Sequence, residues 1–196
     1  MPNHIVKAEP FVAPAGIQLA HLAGEAAHVR QAIAAHFLKN CADIIEIGGA
    51  GAPITNALTH APRSVLVVDP KITAFAAEEL RGAPCRVRHV AAKLQQVTFD
   101  AAPGTYGLAL LGLSLKPFGA KPAVPPELAA LCDNARRIVI DYAIHFERSA
   151  GQLPALIGRG TLREVLRLDL RLSDPAISAT PYAERRLIVL EPVTAR

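Results

Sequence analysis

Tryptophan is absent from this chain of 196 residues, and aromatic residues make up only 5% of it. A nucleic-acid surface is normally built from a concentrated basic stripe with stacking aromatics. Here the net charge is only +4. It is spread out, with small clusters at Arg136-Arg137 and Arg185-Arg186. Composition therefore argues against a nucleic-acid partner. Cysteine is scarce as well. Cys41, Cys85 and Cys132 are odd in number, far apart and show no C-x-x-C pairing. That pattern points to buried free thiols in a reducing compartment, with no disulfide framework. No apolar run is long enough to span a bilayer, and Met1 to Pro14 lacks the apolar core of a signal peptide. The expectation is a soluble, cytoplasmic protein with no membrane partner. Long charge runs are missing too, and charged residues make up 19% of the chain, which speaks against global disorder.

What is present is apolar. Hydrophobic residues form 51% of the sequence, enough for a sizeable core without metals or disulfides. The length suits one domain. Pro2, Pro10 and Pro14 break the start of the chain, so residues 1–18 read as an irregular arm and residues 19–196 as the domain. Leu22, Ala26, Val29, Ile33 and Phe37 recur at spacings of three and four, which predicts a helix over 19–38. Strands are expected at 44–47, 64–68, 86–90, 106–115 and 137–141. Helices are expected at 53–60, 72–80 and 127–134, with shorter helical pieces at 92–97 and 152–160. Near the end, Leu166, Leu168, Leu170 and Leu172 alternate with charged or polar residues, the period of a half-buried strand. A last strand at 186–190 would pair with it as a β-hairpin. Alternating strands and helices imply a doubly wound, mostly parallel α/β sheet. In such folds ligands bind outside the carboxyl ends of the strands.

The most informative stretch is Asp43-Ile44-Ile45-Glu46-Ile47-Gly48-Gly49-Ala50-Gly51-Ala52-Pro53. It reads as a buried strand entering a glycine-rich turn. A second strand follows and ends on Asp69-Pro70. The turn lets backbone N–H groups approach a ligand closely. An acid at the end of the next strand can accept hydrogen bonds from a ribose.

This layout resembles the class I S-adenosylmethionine-dependent methyltransferases, over roughly residues 19–192. Their first motif places an acid in the strand before a glycine-rich turn, matched here by Glu46, Gly48, Gly49 and Gly51. Their second acid, which binds the ribose hydroxyls, matches Asp69, followed by Pro70. Their sheet also ends in an antiparallel hairpin. The resemblance implies a Rossmann-like single domain, S-adenosylmethionine as cofactor and a small-molecule methyl acceptor. Ala50 and Ala52 stand where two of the family's alternating glycines would fall. Many relatives carry an acid after the third strand; here the stretch is Val90-Ala91-Ala92-Lys93, which leaves adenine to backbone groups near Ala92 and to apolar contacts.

Two alternatives remain open at this point. A dinucleotide fold would need G-x-G-x-x-G. Gly49 and Gly51 could supply two glycines, but Ile54 occupies the third position and Pro53 intrudes. That reading would make the protein an NAD(P)-dependent oxidoreductase. The other alternative is a Rossmann-like binding or scaffold protein without catalysis.

Methyl transfer needs alignment more than acid–base machinery. A base helps where the acceptor must lose a proton. After the fifth expected strand comes Asp141-Tyr142-Ala143-Ile144-His145. His145 is the candidate base, with an imidazole that titrates near neutrality. Asp141 would orient it or touch the acceptor, and Tyr142 would line the acceptor site. Ser114, after the fourth strand, is a candidate substrate contact, as readily an ordinary turn residue. His21, Glu25 and His28 share one face of the first helix. A solvated polar stripe suits them better than a metal. In the resembled family a helix before the first motif often covers the cofactor, which brings His28 toward the substrate. An exposed sheet edge or the apolar first helix offers a surface for a homodimer.

Overall fold

The computed structural model describes residues 24–48, 52–111, 124–144, 159–173, 175, 177–181 and 183–193. Its centre is an eight-stranded sheet. In chain order the elements are α1 (Gly24–Leu38), β1 (Asp43–Ile47), a 3-10 turn (Ile54–Asn56), β2 (Ser64–Val68), β3 (Phe75–Leu80) and β4 (Ala83–Val90). After a second 3-10 turn (Leu94–Gln96) come β5 (Tyr106–Leu110), α2 (Pro126–Asn134), β6 (Arg137–Ala143), β7 (Leu162–Arg171) and β8 (Glu184–Pro192). The strand order is β3-β4-β2-β1-β5-β6-β8-β7.

The inner five strands, β4, β2, β1, β5 and β6, are all parallel. Buried on both faces, such strands read as near-continuous apolar runs, as β1 and β5 do: every residue of each is buried. Ile45 stands between Leu66 and Leu108 in the register. Alternation sends Ile44, Val67, Ala109 and Val139 to one face and Ile45, Leu108, Leu110 and Ile140 to the other. Ala34, Ala35 and Leu38 of α1 cover the first face. Leu128, Leu131 and Cys132 of α2 cover the second. Pro126 opens α2, where a missing N–H is harmless. Cys41, Cys85 and Cys132 are all free and buried.

From β1 the chain runs outward through β2 to β4, then returns to β5 and continues outward through β6. The carboxyl end of β1 is thus the point where strand order reverses, the place where open α/β sheets take ligands. The anticipated hairpin at the end of the sheet is β7–β8, antiparallel to each other, with β8 antiparallel to β6.

Two expected helices are not helices. Residues 75–80 form β3, an antiparallel edge strand on β4. The segment is rich in alanine and glutamate, and its propensity favours a helix. The turn decides otherwise. Arg81 and Gly82 have φ of 54° and 76°, and Leu80 pairs with Ala83 across them. Two successive positive φ values are what a tight two-residue hairpin needs. Gly82 therefore closes a hairpin and does not stop a helix. The stretch 53–60 makes only the 3-10 turn Ile54–Asn56, with the N–H groups of Ala57 and Leu58 both donating to the Ile54 carbonyl. So short a piece cannot offset the cost of helix nucleation, and Pro62 biases the residue before it away from helical geometry. The expected piece at 152–160 falls largely outside the described residues, as does the end of the 106–115 strand beyond residue 111.

Candidate functional site: the carboxyl edge of β1, β2 and β6

At the end of β1 the Gly48 N–H donates to the Val68 carbonyl at 2.9 Å, which extends the β1–β2 ladder by one bond. Gly48 has φ of +90°, a conformation that favours glycine and turns the chain out of the strand. Ala52, Pro53 and Ile54 then bring it back against the sheet, with Ile54 fully buried. Gly49 and Gly51 lie outside the described residues.

Glu46 sits one turn of alternation before Gly48 and faces α1. Its side chain is fully buried. Oε2 accepts the Ile54 N–H at 2.7 Å, which satisfies one of the donors that a helical turn leaves free at its start. Oε1 has no hydrogen-bond partner among the described residues. Burial pushes the carboxyl up to about 8; the Ile54 N–H opposes this and the nearby Asp69 carboxylate adds to it.

Asp69 ends β2, two residues beyond Val67, which pairs with Glu46. Its backbone N–H donates to the Val90 carbonyl at 3.2 Å. Its Oδ1 accepts the Lys71 N–H at 2.7 Å, the local bond of an aspartate-led turn. Among the described residues no bond engages Oδ2. Pro70 is exposed beside it. Ala92, half-buried, follows β4 on the same edge, its N–H turned back to the Val90 carbonyl. Glu46, Gly48, Asp69, Pro70 and Ala92 are thus all on the carboxyl edge at β1, β2 and β4.

The residues expected on the acceptor side meet different fates. Asp141 and Tyr142 are consecutive in β6, so they point to opposite faces. Asp141 is buried under α1 and held by two guanidiniums. Arg30 Nε donates to its Oδ2 at 2.7 Å, and Arg185 Nε and Nη2 donate to its Oδ1 and Oδ2 at 3.1 and 2.9 Å. Burial lowers the Arg30 pKa; Asp141 counters this and Arg185 adds to it. Asp141 is therefore committed to an ion-pair network that ties α1, β6 and β8 together. Tyr142 is buried in the α2-side core. His28 is exposed on α1. His145, Ser114 and His21 lie outside the described residues, as does the side chain of Glu25. No group of side chains suited to a metal ion occurs among the described residues, nor does a helix there have the length and apolarity to cross a membrane.

Sequence reasoning missed the Arg30–Asp141–Arg185 network. Its one visible signal was an aspartate inside an otherwise apolar strand. It also missed an open cleft of about 340 Å³ at the far end of the same edge, lined by Ile144, Arg171, Thr180 and Glu184 among others. β8, whose first residue is Glu184, is three strands from β1, roughly 14 Å away at about 4.8 Å per strand.

No family model matches the sequence, and no curated protein does. Solved structures do share its fold. The N-methyltransferase NodS from Bradyrhizobium japonicum, in complex with S-adenosyl-L-homocysteine, aligns with a TM-score of 0.56 at 12% identity, over 90% of this chain and 97% of that one. An rRNA methylase from Streptococcus thermophilus gives 0.54 at 13%, over 88% and 99%. The 1,6-didemethyltoxoflavin-N1-methyltransferase of Burkholderia thailandensis, with bound 1,6-didemethyltoxoflavin and S-adenosylhomocysteine, gives 0.53 at 16%, over 95% and 93%. The fold of this chain is the Rossmann-like α/β fold of class I S-adenosylmethionine-dependent methyltransferases.

Proposed function

We propose that the protein is an S-adenosylmethionine-dependent methyltransferase with a small-molecule acceptor. The observation that carries this reading is the pairing of Glu46 and Asp69 at the strand-order reversal, beside a glycine turn. The residues fit such a cofactor. A buried carboxyl oxygen without a partner suits a cationic ligand, and Asp69 Oδ2 is open to a ribose hydroxyl. S-adenosylmethionine, when bound, supplies an electrophilic methyl group on a sulfonium.

In this reading Gly48, Gly49 and Gly51 let backbone N–H groups come close to the ligand. Asp69 and the adjoining Pro70 fix the ribose, and the backbone at Ala92 borders the adenine. Ser114, His28 and His145 belong to the acceptor side, where His145 takes the proton that a hydroxyl or ammonium acceptor must lose; Tyr142, buried in the α2-side core, is left out of it. In this reading residues 19–196 are the methyltransferase domain and residues 1–18 an N-terminal arm. Other proteins of this fold include a small-molecule N-methyltransferase with its acceptor bound, which supports a small acceptor; the low aromatic content argues the same way.

Thermal-shift and calorimetric titration with S-adenosylmethionine, S-adenosylhomocysteine, NAD and NADP tests the reading, because a ligand that binds only the native state raises apparent stability. S-adenosylmethionine and S-adenosylhomocysteine should raise the melting temperature. A shift with NAD alone would make the protein a dinucleotide enzyme instead, and no shift with any of them would favour a scaffold without a cofactor.

A further inference from the structure

Glu46 is an unusual group to leave in a protein interior. It is fully buried, and among the described residues only one of its oxygens has a partner. An unpaired carboxylate in such a place is costly, and the usual escape is to stay protonated. Among the described residues no positive charge relieves it. Its register neighbours are Val67 on β2 and Ala109 on β5, both apolar. Beyond Val67 stands a second carboxylate, Asp69, and no Glu46 salt bridge exists among the described residues. The 3-10 turn offers a backbone N–H and no titratable side chain. From α1 come Gln31, whose Oε1 is likewise buried without a partner among the described residues, and Arg30, which is bound to Asp141. From β4, His89 stands across Val67 in register, its Nε2 buried without a partner among the described residues and its pKa lowered by burial.

We propose that Glu46 makes this site selective for a cationic ligand: it is neutral in the empty site and gives up its proton to solvent when the ligand's positive charge arrives. The inference rests on the cofactor reading above. The O–H bond of the Glu46 carboxyl breaks, its electron pair stays on the carboxylate, and the proton leaves to buffer. S-adenosylmethionine carries one more positive than negative charge at neutral pH and would stabilise the carboxylate. Methylthioadenosine shares the adenosine and the sulfur but is uncharged. It would bind without displacing the proton.

The pushed-up carboxyl, at about 8, fits this picture. One proton released on binding makes affinity rise with pH by up to about tenfold per pH unit, flattening above the titration of the empty site. Calorimetry on the full chain at about pH 6.5 tests it, where an α-ammonium of ordinary pKa of about 7.7–8.0 stays charged. Titrations are run in buffers of different ionisation enthalpy. Wild-type protein should release close to one proton per S-adenosylmethionine and almost none with methylthioadenosine. Glu46→Gln should bind S-adenosylmethionine with that release abolished. Equal release by wild type and Glu46→Gln would overturn the inference and leave the cofactor reading intact. Failure of the wild type to bind either ligand would overturn both. Carbon NMR of labelled glutamate carboxyls covers the case of a variant that folds poorly. One wild-type carboxyl should titrate near 8 without ligand and move lower with S-adenosylmethionine. Full ionisation of every glutamate at about pH 6 in the empty protein would sink the proposal.

Discussion

Arg30 Nε lies 2.7 Å from Asp141 Oδ2, a bond between residues 111 positions apart that pins α1 onto β6. Arg185 holds the same carboxylate from β8. Asp141→Ala would leave two buried guanidiniums without their shared counter-ion. Breaking a buried pair from one side costs about 3–5 kcal/mol. Urea unfolding should show a loss of that size. A variant of wild-type stability that loses only turnover would make Asp141 a site residue and not a structural one.

Glu46 sets a pH dependence with a definite sign. Its folded-state pKa, about 8, is raised above the ordinary 4.5, so the native state holds the proton more tightly than the unfolded chain. The stability it lends is fully present below about 4.5 and is lost as pH rises through about 8, on the order of a few kcal/mol in all. Glu46→Gln should match wild type near pH 4 and exceed it near pH 9. Melting curves of the ligand-free proteins at several pH values check this; parallel curves would show Glu46 to be ionised throughout.

Gly107 has no room for a side chain. A Cβ there would come within 2.6 Å of Leu38 Cδ2 and 2.9 Å of Cys41 Sγ, where α1 ends against β5. Overpacking of this kind costs about 1–3 kcal/mol. Gly107→Ala should lower the urea midpoint accordingly, and the loss it causes should be smaller in a Leu38→Ala background than in wild type. An equal loss in both backgrounds would mean that the strain lies elsewhere.

Asp69→Ala should fold normally, since among the described residues its side chain makes only the bond to the Lys71 N–H, and should bind S-adenosylhomocysteine more weakly. Each charge-assisted bond to a ribose hydroxyl is worth about 1.5–3 kcal/mol. Calorimetry should read a loss of at least tenfold; unchanged affinity in a folded variant would remove Asp69 from the site.

His145→Ala should slow methyl transfer by about 10²–10⁴-fold with little change in S-adenosylhomocysteine affinity, the span expected for a lost general base. Single-turnover rates across pH measure it. A variant that keeps its rate would return the histidine to the surface and leave alignment to account for the chemistry.

The strand skeleton was legible because buried parallel strands leave apolar runs that little else in a sequence imitates. Ile44 to Ile47, Ser64 to Val68 and Tyr106 to Leu110 announced themselves, and so did the leucine alternation of β7. The places of Glu46, Gly48 and Asp69 at the ends of β1 and β2 were legible for a related reason: acids and glycine interrupt an apolar run where a strand ends. What escaped depended on partners. Residues 75–80 carry helical propensity in themselves, and β4 together with the Arg81-Gly82 turn overrides it. Asp141 looked available for chemistry because Arg30 and Arg185, far away in sequence, had already claimed it. Glu46's missing second partner is a property of what surrounds it, which no local pattern encodes.

The sheet's margins carry an implication for how the molecule meets its own kind. Both outermost strands are irregular. β3 shifts register between Ala77 and Glu79, and β7 between Glu164 and Leu166. Bulges and charge along an edge are how β proteins discourage strand addition. β7 also lines its margin with ion pairs, Arg163 with Glu191, Arg167 with Glu164 and Arg171 with Glu184. A strand joining either margin would have to match a shifted register, and at β7 also displace paired charges, so growth into fibres by sheet extension is disfavoured at both.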